Sequence, residues 1–342
     1  MSPKKLQETK KKDQYLVFSP FYKLVSELLS KHESKSILHS LISHVLKPSS
    51  IKHIDVEIID TCIKQYSKQW SPKPILNTNR PLALKRIEYL KDKWGPSTYG
   101  SIRNHINMET SQLSRFLNTG VITIREVWDQ LGYSMPDFGR QLIFRNFYIC
   151  RMAATATETS FPTNELPPPK WISPSSDTGK RYWNAWVKGK TGVPIIDAAM
   201  RCLRNTGTMH NRLRMLTASY LTRILRIHWR HGEAWFAKHL FDYEATQNHF
   251  GWKGQAALSL DSRQYYRVFN PWLQTTKYDP ECVFIKQWIP ELRPVKVDTI
   301  LNWEDYHNTV QDISYPKPII ADHAEAAKRS IAAWKDAISK SS

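Results

Sequence analysis

The 342-residue sequence predicts an all-α fold. Apolar residues recur mostly at helical spacing from about residue 20 onward, and no sustained period-two strand pattern is present. Neither a G-x-G-x-x-G loop nor a Walker loop occurs, so the nucleotide-binding α/β folds that depend on such loops are not indicated. A chain of this length can bury a large core and suggests one or two domains.

Residues 1–16 are predicted to be a flexible basic leader, because the first dozen residues include five lysines. Residues 17–160 are expected to form an N-terminal helical part. In it, "LHSLISHVL" and "IDVEIIDTCIKQYSKQW" repeat apolar residues at helical intervals. A further helix is predicted to begin near Pro81 and to end at Gly95-Pro96, and two more to flank Asn118-Thr119-Gly120.

Residues 161–187 are expected to be a Pro-rich connecting loop, since five prolines between residues 161 and 179 disfavour a regular helix. A C-terminal helical core is predicted over residues 188–342. Pro194 suits the first turn of a helix in "TGVPIIDAAMRCL", "PELRPVKVDTILNW" is predicted to be a loop, and "HAEAAKRSIAAWKDAIS" is predicted to be the terminal helix.

The charge pattern indicates a polyanionic partner. The formal net charge is +18 with a pI near 9.7, and the basic residues are interleaved with aromatic ones throughout the chain. This favours nucleic acid over an anionic membrane surface or a merely solvated basic surface. The 13 tryptophans are many for this length, since average usage would give roughly a third of that number.

Several protein classes are disfavoured. Cys62, Cys150, Cys202 and Cys282 are far apart in sequence and form no C-x-x-C pair, which argues against a disulfide framework and a metal site and for a reducing compartment. No signal peptide or run of about 18 apolar residues occurs. We therefore expect a soluble, monomeric protein of the cytosol or nucleus, with no membrane contact.

A polar cluster precedes one apolar run. In "GTMHNRLRM", His210, Asn211, Arg212 and Arg214 stand immediately before "LTASYLTRIL". Polar side chains that reach inward from a helix must meet a polar partner there. His210, Asn211 and Arg214 are separated by one to four residues, so they can converge on one ligand.

Two long stretches carry a family resemblance. Residues 189–252, which include the cluster above and continue to "DYEATQNHFGW", and residues 265–292, "YYRVFNPWLQTTKYDPECVFIKQWIPEL", closely resemble the FAD-binding domain of the DNA photolyase and cryptochrome family. The likeness begins weakly near residue 17 and is densest after residue 188. It implies an all-helical domain that holds FAD in a bent form.

The resemblance implies how FAD is held. In "TSQLS", Thr110, Ser111 and Ser114 would bind the pyrophosphate from a helix N-terminus, which suits an anion. Arg214 would pair with Asp242 beside the flavin. The implied FAD contacts are Tyr99, Thr110, Ser111, Gln112, Leu113, Ser114, Phe138, Gln141, Arg145, His210, Asn211, Arg214, Asp242, Glu244 and Asn248.

The resemblance also implies the catalytic side chains. Asn248 would face the reactive flavin nitrogen, and an amide at this position favours repair over signalling. Trp252 and Trp229 match the proximal and middle members of the family's tryptophan relay, which carries an electron inward to light-excited flavin. Either Trp171 or Trp183 could be the terminal member.

The implied reaction is light-driven repair. Reduced FAD would donate an electron to a cyclobutane pyrimidine dimer that has been flipped out of the DNA duplex, and the electron would return after the ring opens. The implied DNA contacts are Arg103, Phe144, Arg212, Met215 and Arg267.

The sequence departs from the family pattern in two respects. The α/β antenna domain that normally precedes the flavin domain is missing, and a separate chain could supply it. In the lesion pocket, Phe144 and Gly254 stand at the positions of two tryptophans, and Gln141 at that of a carboxylate. The lesion could therefore be a (6-4) photoproduct. A cryptochrome-like blue-light sensor and a flavin-free nucleic-acid-binding relic are the alternatives to a repair enzyme.

Overall fold

The computed structural model describes residues 18–31, 78–156, 171–258, 266–310 and 313–339. These residues contain no β-strand, only an isolated parallel bridge between Ile172 and Ile227. The all-α prediction is therefore confirmed. The predicted basic leader and the two helices predicted between residues 38 and 70 lie outside the described residues.

Sixteen α-helices occur in the described residues: α1 Phe18–Lys31, α2 Arg80–Lys93, α3 Thr98–Ile102, α4 Ser114–Asn118, α5 Ile124–Val127, α6 Pro136–Ala156, α7 Asp177–Lys188, α8 Pro194–Thr206, α9 Asn211–Ser219, α10 Trp229–His239, α11 Ala245–Gln255, α12 Pro271–Tyr278, α13 Val283–Trp288, α14 Val297–Leu301, α15 Trp303–Tyr306 and α16 His323–Ser339. Two π-helical turns, Trp128–Gly132 and Tyr220–Ile224, continue α5 and α9.

The chain divides into two compact units. The first comprises Met1–Asn77 and Ile143–Thr159, and the second comprises Thr78–Leu142 and Ser160–Ser342. In the first unit, the Phe18 ring packs against those of Phe144 and Phe147, with ring centroids 4.5 and 5.8 Å apart. The second unit holds every other element discussed below.

Two apolar cores lie in the second unit. The larger is built mainly from α7 to α13 and includes Trp186, Leu203 and Trp229, each at most 2% exposed. The smaller joins α2, α4 and the turn after α5, through residues such as Leu90 and Phe116. Helix α10 packs on α11, and α8 packs on α9 and α13, which brings the segments of the resembling region together.

Local sequence signals explain the helix boundaries. Asn79 caps α2 by accepting from the Leu82 N–H at 2.9 Å, with a proline in the first turn as predicted. Pro194 is the first residue of α8, and Gly207 ends that helix with a φ of 71°. The predicted break around residues 118–120 is confirmed between α4 and α5.

Two predicted loops differ from the structure. Helix α7 occupies Asp177–Lys188 and so takes up the end of the expected loop 161–187, because Ser176 caps it and Trp186 enters the larger core. The loop predicted from residue 290 is wrong, since Pro290–Leu292 forms a 3-10 turn and α14 follows at Val297–Leu301. Leu292 and Ile300 are 0% and 1% exposed, so apolar burial stabilises these short helices.

Candidate cofactor and nucleic-acid site

Helix α9 contributes one member of a partly buried ion pair. Arg214 donates from Nη2 to both carboxylate oxygens of Asp242, at 2.9 and 3.0 Å. Its Nε donates to the carbonyl of Met209 at 2.8 Å. The Arg214 and Asp242 side chains are 28% and 13% exposed. A carboxylate therefore compensates an arginine that reaches inward from α9.

His210 begins the same helix. Its Nδ1 accepts from the Arg212 N–H at 3.1 Å, which makes His210 the N-cap of α9. Burial, together with the positive charges of Arg212 and Arg214, lowers the pKa of His210 to about 4. The imidazole is therefore neutral at physiological pH and presents no further positive charge beside the ion pair.

The lowered pKa of His210 predicts a pH-dependent stability. In the unfolded chain histidine gains a proton below about pH 6.5, whereas folded His210 resists protonation down to about pH 4. His210 therefore contributes up to about 3 kcal/mol to the free energy of unfolding. This contribution is fully present above pH 6.5 and is lost as the pH falls towards 4. Relative to His210→Asn, which keeps a capping side chain, the wild type should lose stability over this interval in urea titrations.

The matched control for the cap is His228→Asn. His228 caps α10 in the same way, with its Nδ1 accepting from the Arg230 N–H at 3.2 Å. At pH 7.5, the loss of unfolding free energy in each variant measures only the effect of replacing a capping histidine by asparagine. Parallel stability curves for wild type and His210→Asn between pH 4 and 6.5 would contradict the assignment.

Helix α11 carries the predicted acidic and amide side chains. Glu244 is its N-cap and accepts from the N–H groups of Thr246 and Gln247 at 3.2 and 2.9 Å. One turn later, Asn248 donates from Nδ2 to the carbonyl of Glu233 at 3.0 Å. An amide has two N–H donors and an acceptor oxygen, so Asn248 retains hydrogen-bonding capacity for a ligand.

The same helix also has an open surface. A Cβ atom built on either Gly251 or Gly254 would have no other atom within 4 Å. These glycines lie three and six residues beyond Asn248. The space beside this part of α11 can therefore admit a ligand.

The "TSQLS" segment is held from α2. Arg86 donates from Nη2 to the carbonyl of Thr110 at 2.7 Å and from Nε to that of Ser111 at 2.9 Å. Gln112 has a φ of 54°, in the left-handed region, and Ser114 is the first residue of α4. Arg86 thus binds the carbonyls of the segment, while Thr110 and Ser114 are exposed.

Three other predicted residues lie in or against the smaller core. Leu113 and Phe138 are buried in it, and Tyr99 packs against Phe138 with ring centroids 5.3 Å apart. Burial raises the pKa of the Tyr99 hydroxyl, which therefore stays protonated and can donate. The Arg103 guanidinium lies 5.7 Å from the Tyr99 ring centroid.

Arg212 connects α9 to the segment that follows α3. Its Nη2 donates to Asn104 Oδ1 at 2.5 Å, and its guanidinium lies over the Tyr278 ring, 4.8 Å from the centroid. Asn107 donates to Asp279 Oδ1 at 2.8 Å. Arg212 and the segment that carries Arg103 are therefore fixed to each other.

Trp252 is 2% exposed, and ring contacts link it to Trp183, one candidate for the terminal relay position. Its ring centroid is 6.2 Å from that of Trp186, which stacks on Trp183 at 5.6 Å. Trp183 is half-buried. The second candidate for the terminal relay position is therefore linked to Trp252 through Trp186.

Ring contacts link Trp229 to Trp171, the other candidate for the terminal relay position. Its ring stacks on His228 at 5.9 Å, and His228 meets Trp171 at 5.2 Å. Trp229 is 2% exposed and Trp171 is half-buried. Each candidate for the terminal position is thus linked to a buried tryptophan through one ring: Trp183 to Trp252 through Trp186, and Trp171 to Trp229 through His228.

The remaining predicted residues lie at several separate places in the structure. Asn211 is exposed, with its Nδ2 4.0 Å from Met215 Sδ. Gln141 is half-buried on α6, and the Arg267 carbonyl accepts from Arg223. Phe144 and Arg145 belong to the first unit, where the Phe144 ring packs against Phe18 and Tyr148.

Sequence reasoning missed Arg86, Glu233 and His249. His249 Nδ1 lies 2.8 Å from Glu233 Oε1, and the His249 ring meets Trp229 at 5.3 Å. His249 follows Asn248 directly, so the resembling stretch contained the signal for it. Arg86 binds backbone carbonyls 24 and 25 residues away, which no side-chain motif marks.

No cluster of three or more His, Cys, Asp or Glu side chains that could hold a metal ion occurs in the described ranges. Within the same ranges, no helix combines the length and apolarity needed to cross a membrane.

Comparison with known proteins identifies relatives. The family model described as the FAD binding domain of DNA photolyase matches residues 138–336. The deoxyribodipyrimidine photo-lyase of Escherichia coli is 38% identical over 235 residues, which cover 67% of this chain and 50% of the relative. That of Alkalihalophilus pseudofirmus is 31% identical over 341 residues, which cover 94% of this chain and 68% of the relative.

Solved structures agree in fold. A bacterial class III photolyase from Agrobacterium tumefaciens aligns with a TM-score of 0.74 and 25% identity, covering 98% of this chain and 71% of its own. An archaeal photolyase from Sulfolobus tokodaii with two FAD molecules aligns with a TM-score of 0.65 and 29% identity, covering 79% of this chain and 59% of its own. The chain spans half the length of the Escherichia coli relative.

Proposed function

Because the chain belongs to the DNA photolyase family, we propose that it repairs cyclobutane pyrimidine dimers in DNA by light-driven electron transfer. FAD is the cofactor of the matched domain. The observation that carries the proposal is the Arg214–Asp242 pair, which lies in the matched region with Asn248 six residues beyond the aspartate. The chain's own residues would bind FAD, control the charge of its ring and bind DNA.

The residues present fit FAD. Thr110, Ser111 and Ser114 offer hydroxyl donors to a pyrophosphate, and the Tyr99 hydroxyl is a protonated donor. Beside α11, the space at Gly251 would accommodate a planar ring system. We infer that the other implied contacts in the second unit, from Gln112, Leu113, Phe138, Gln141, His210, Asn211 and Glu244, complete the site.

The polar side chains near the ring would control its charge. When bound and reduced, FAD supplies a single electron upon absorbing blue light. Arg214 offers a positive charge that Asp242 orients, and Asn248 offers an uncharged amide. Positive charge and amide donors both favour the anionic reduced ring.

The tryptophans would restore the reduced state. We infer that Trp252 and Trp229 pass electrons inward and that Trp171 receives them at the surface. Burial of the first two excludes water, and the His228 ring spans the gap between Trp229 and Trp171.

DNA would bind through the basic side chains. The net charge of +18 supplies affinity that does not depend on sequence. Arg103, Arg212 and Arg267 would grip phosphates around the flipped lesion, with Met215 as an apolar contact. The support for this step is the linkage of Arg212 to the Arg103 segment through Asn104.

We also propose an oligomeric state and a compartment. The chain would act as a monomer on dimer-containing DNA in the cytosol or nucleus, where the thiols of Cys150, Cys202 and Cys282 stay free. A separate antenna-domain chain would extend its light absorption.

A cryptochrome-like photosensor without repair activity is the second candidate. Gly254 favours it, because a glycine cannot stack on a lesion where the family has tryptophan, and the space beside it is open.

Photorepair of oligothymidylate containing cyclobutane dimers tests the proposal. The FAD-loaded, chemically reduced protein should remove the dimers under blue light and leave them intact in the dark. Persistence of the dimers in a fully loaded preparation would favour the photosensor. A protein that takes up no FAD would overturn both candidates.

A further inference from the structure

Arg223 is a buried cation without a carboxylate partner in the described part of the chain. It lies in the π-helical turn Tyr220–Ile224, after α9, and is 4% exposed. Burial lowers the pKa of its guanidinium, but an arginine still keeps its charge at neutral pH. A buried charge is costly unless other groups compensate it, so the neighbours of Arg223 must supply that compensation.

Backbone carbonyls from two separate segments compensate the charge. Arg223 Nε donates to the carbonyl of Gln255 at 2.6 Å, and Nη2 lies 3.4 Å from that of Gly254. Both carbonyls lie at the C-terminal end of α11, which is the negative end of the helix dipole. Nη1 donates to the carbonyl of Arg267. One guanidinium therefore holds the end of α11 and the backbone of Arg267.

Tyr266 covers the guanidinium from another side. The Arg223 guanidinium lies 4.6 Å from the Tyr266 ring centroid, a cation–π contact. The Tyr266 hydroxyl is 2.6 Å from Ser330 Oγ, and its ring stacks on that of Trp334 at 5.0 Å. Both residues belong to α16, which also packs on the turn that carries Arg223. The C-terminal helix thus fixes Tyr266 over the charge.

We propose that Arg223 is a positioning residue for lesion recognition, because it fixes the Gly254 end of α11 relative to Arg267. The inference rests on the proposed function, in which Arg267 grips a phosphate beside the lesion and the open space at Gly254 borders the lesion. Arg223 itself is too deeply buried to contact the DNA. Its guanidinium offers hydrogen bonds in a fixed planar fork, which can hold carbonyls of two segments in one geometry, whereas the three donors of an ammonium group rotate and fix that geometry less well.

The consequence should appear in specificity rather than in general DNA affinity. Non-specific binding depends on the total basic surface, which Arg223 leaves unchanged. On the proposed function, lesion binding needs the phosphate contact of Arg267 at a fixed position relative to the end of α11. Removing the guanidinium takes a charged donor away from the carbonyls of Gln255, Gly254 and Arg267 and lets the two segments move apart.

The test is the preference for damaged DNA, measured in the dark on FAD-loaded protein. It is expressed as the dissociation constant for an undamaged DNA duplex divided by that for the same duplex with one thymine dimer. Arg223→Met should lower this ratio about tenfold, since part of the binding free energy for the lesion must then bring the two loosened segments into position. Arg223→Lys should lower it by about threefold, because the ammonium group keeps the charge but not the planar fork. FAD content and repair yield per bound lesion should stay at wild-type values, which a general loss of structure would not allow.

Arg201→Met is the matched control. Arg201 is also partly buried and donates to the carbonyl of Gly189 and the carboxylate of Glu291, so its loss should lower stability without changing the ratio. A ratio within twofold of wild type in folded Arg223→Met overturns the inference, and Arg223→Lys decides by the same criterion if the methionine variant does not fold. A wild type with no preference for the dimer would instead refute the proposed function.

Discussion

Asp242→Asn should reduce the affinity for FAD by roughly 10- to 100-fold, which corresponds to about 1.4–2.7 kcal/mol. The substitution keeps the shape of the side chain but leaves Arg214 without its carboxylate. Breaking a fully buried pair costs about 3–5 kcal/mol, and we expect less here because the Arg214 side chain is 28% exposed. Titration of the apoprotein with FAD, followed by flavin fluorescence, measures the effect.

Glu291→Gln is the control for this substitution. It breaks the Arg201–Glu291 pair, which has a similar separation of 2.8 Å and side chains that are 14% and 27% exposed. This pair joins α8 to the 3-10 turn at Pro290–Leu292, so FAD affinity should not change. Equal losses of FAD affinity in both variants would mean that any ion pair affects FAD through stability alone.

Gly232→Ala should destabilise the protein by about 2 kcal/mol or more, because an added methyl group overpacks the core. A Cβ on Gly232 would lie 2.1 Å from Trp252 Cη2 and 2.8 Å from Leu221 Cδ2. Trp252 must then move from its present position between α10 and α11. Thermal unfolding measures the loss of stability, and a shift in tryptophan fluorescence should accompany it.

Gly251→Ala is the matched control on the adjacent helix. A Cβ on Gly251 meets no atom within 4 Å, so alanine should stabilise α11 in the apoprotein by about 0.5–1 kcal/mol through helix propensity. A Gly232→Ala variant as stable as the wild type would show that Trp252 is not packed as described.

The sequence predicted those parts of the fold that have local signals. Pro81 and Pro194 mark helix starts because a first turn needs no N–H at those positions. The short helix α14 was missed, since a proline-rich context suggested a loop while burial of Ile300 depends on distant residues. Helix α7 was missed because the prolines before it outweighed the capping signal of Ser176.

Side-chain pairs in the site were easier to predict than side-chain contacts to the backbone. The partnership of Arg214 with Asp242 followed from the family resemblance, because both partners are visible as residue types. The acceptors of Arg86, Asn248 and Arg223 are carbonyl groups. Every residue has such a group, so only the fold determines which ones these side chains reach.

The central claim is that Arg214, Asp242 and Asn248 surround the flavin ring of FAD. A crystal structure of the FAD complex tests it most directly. We expect the ring beside α11, with the Arg214 guanidinium and the Asn248 amide within about 3.2 Å of its polar atoms. A flavin bound elsewhere, with these three side chains contacting only protein, would contradict the account.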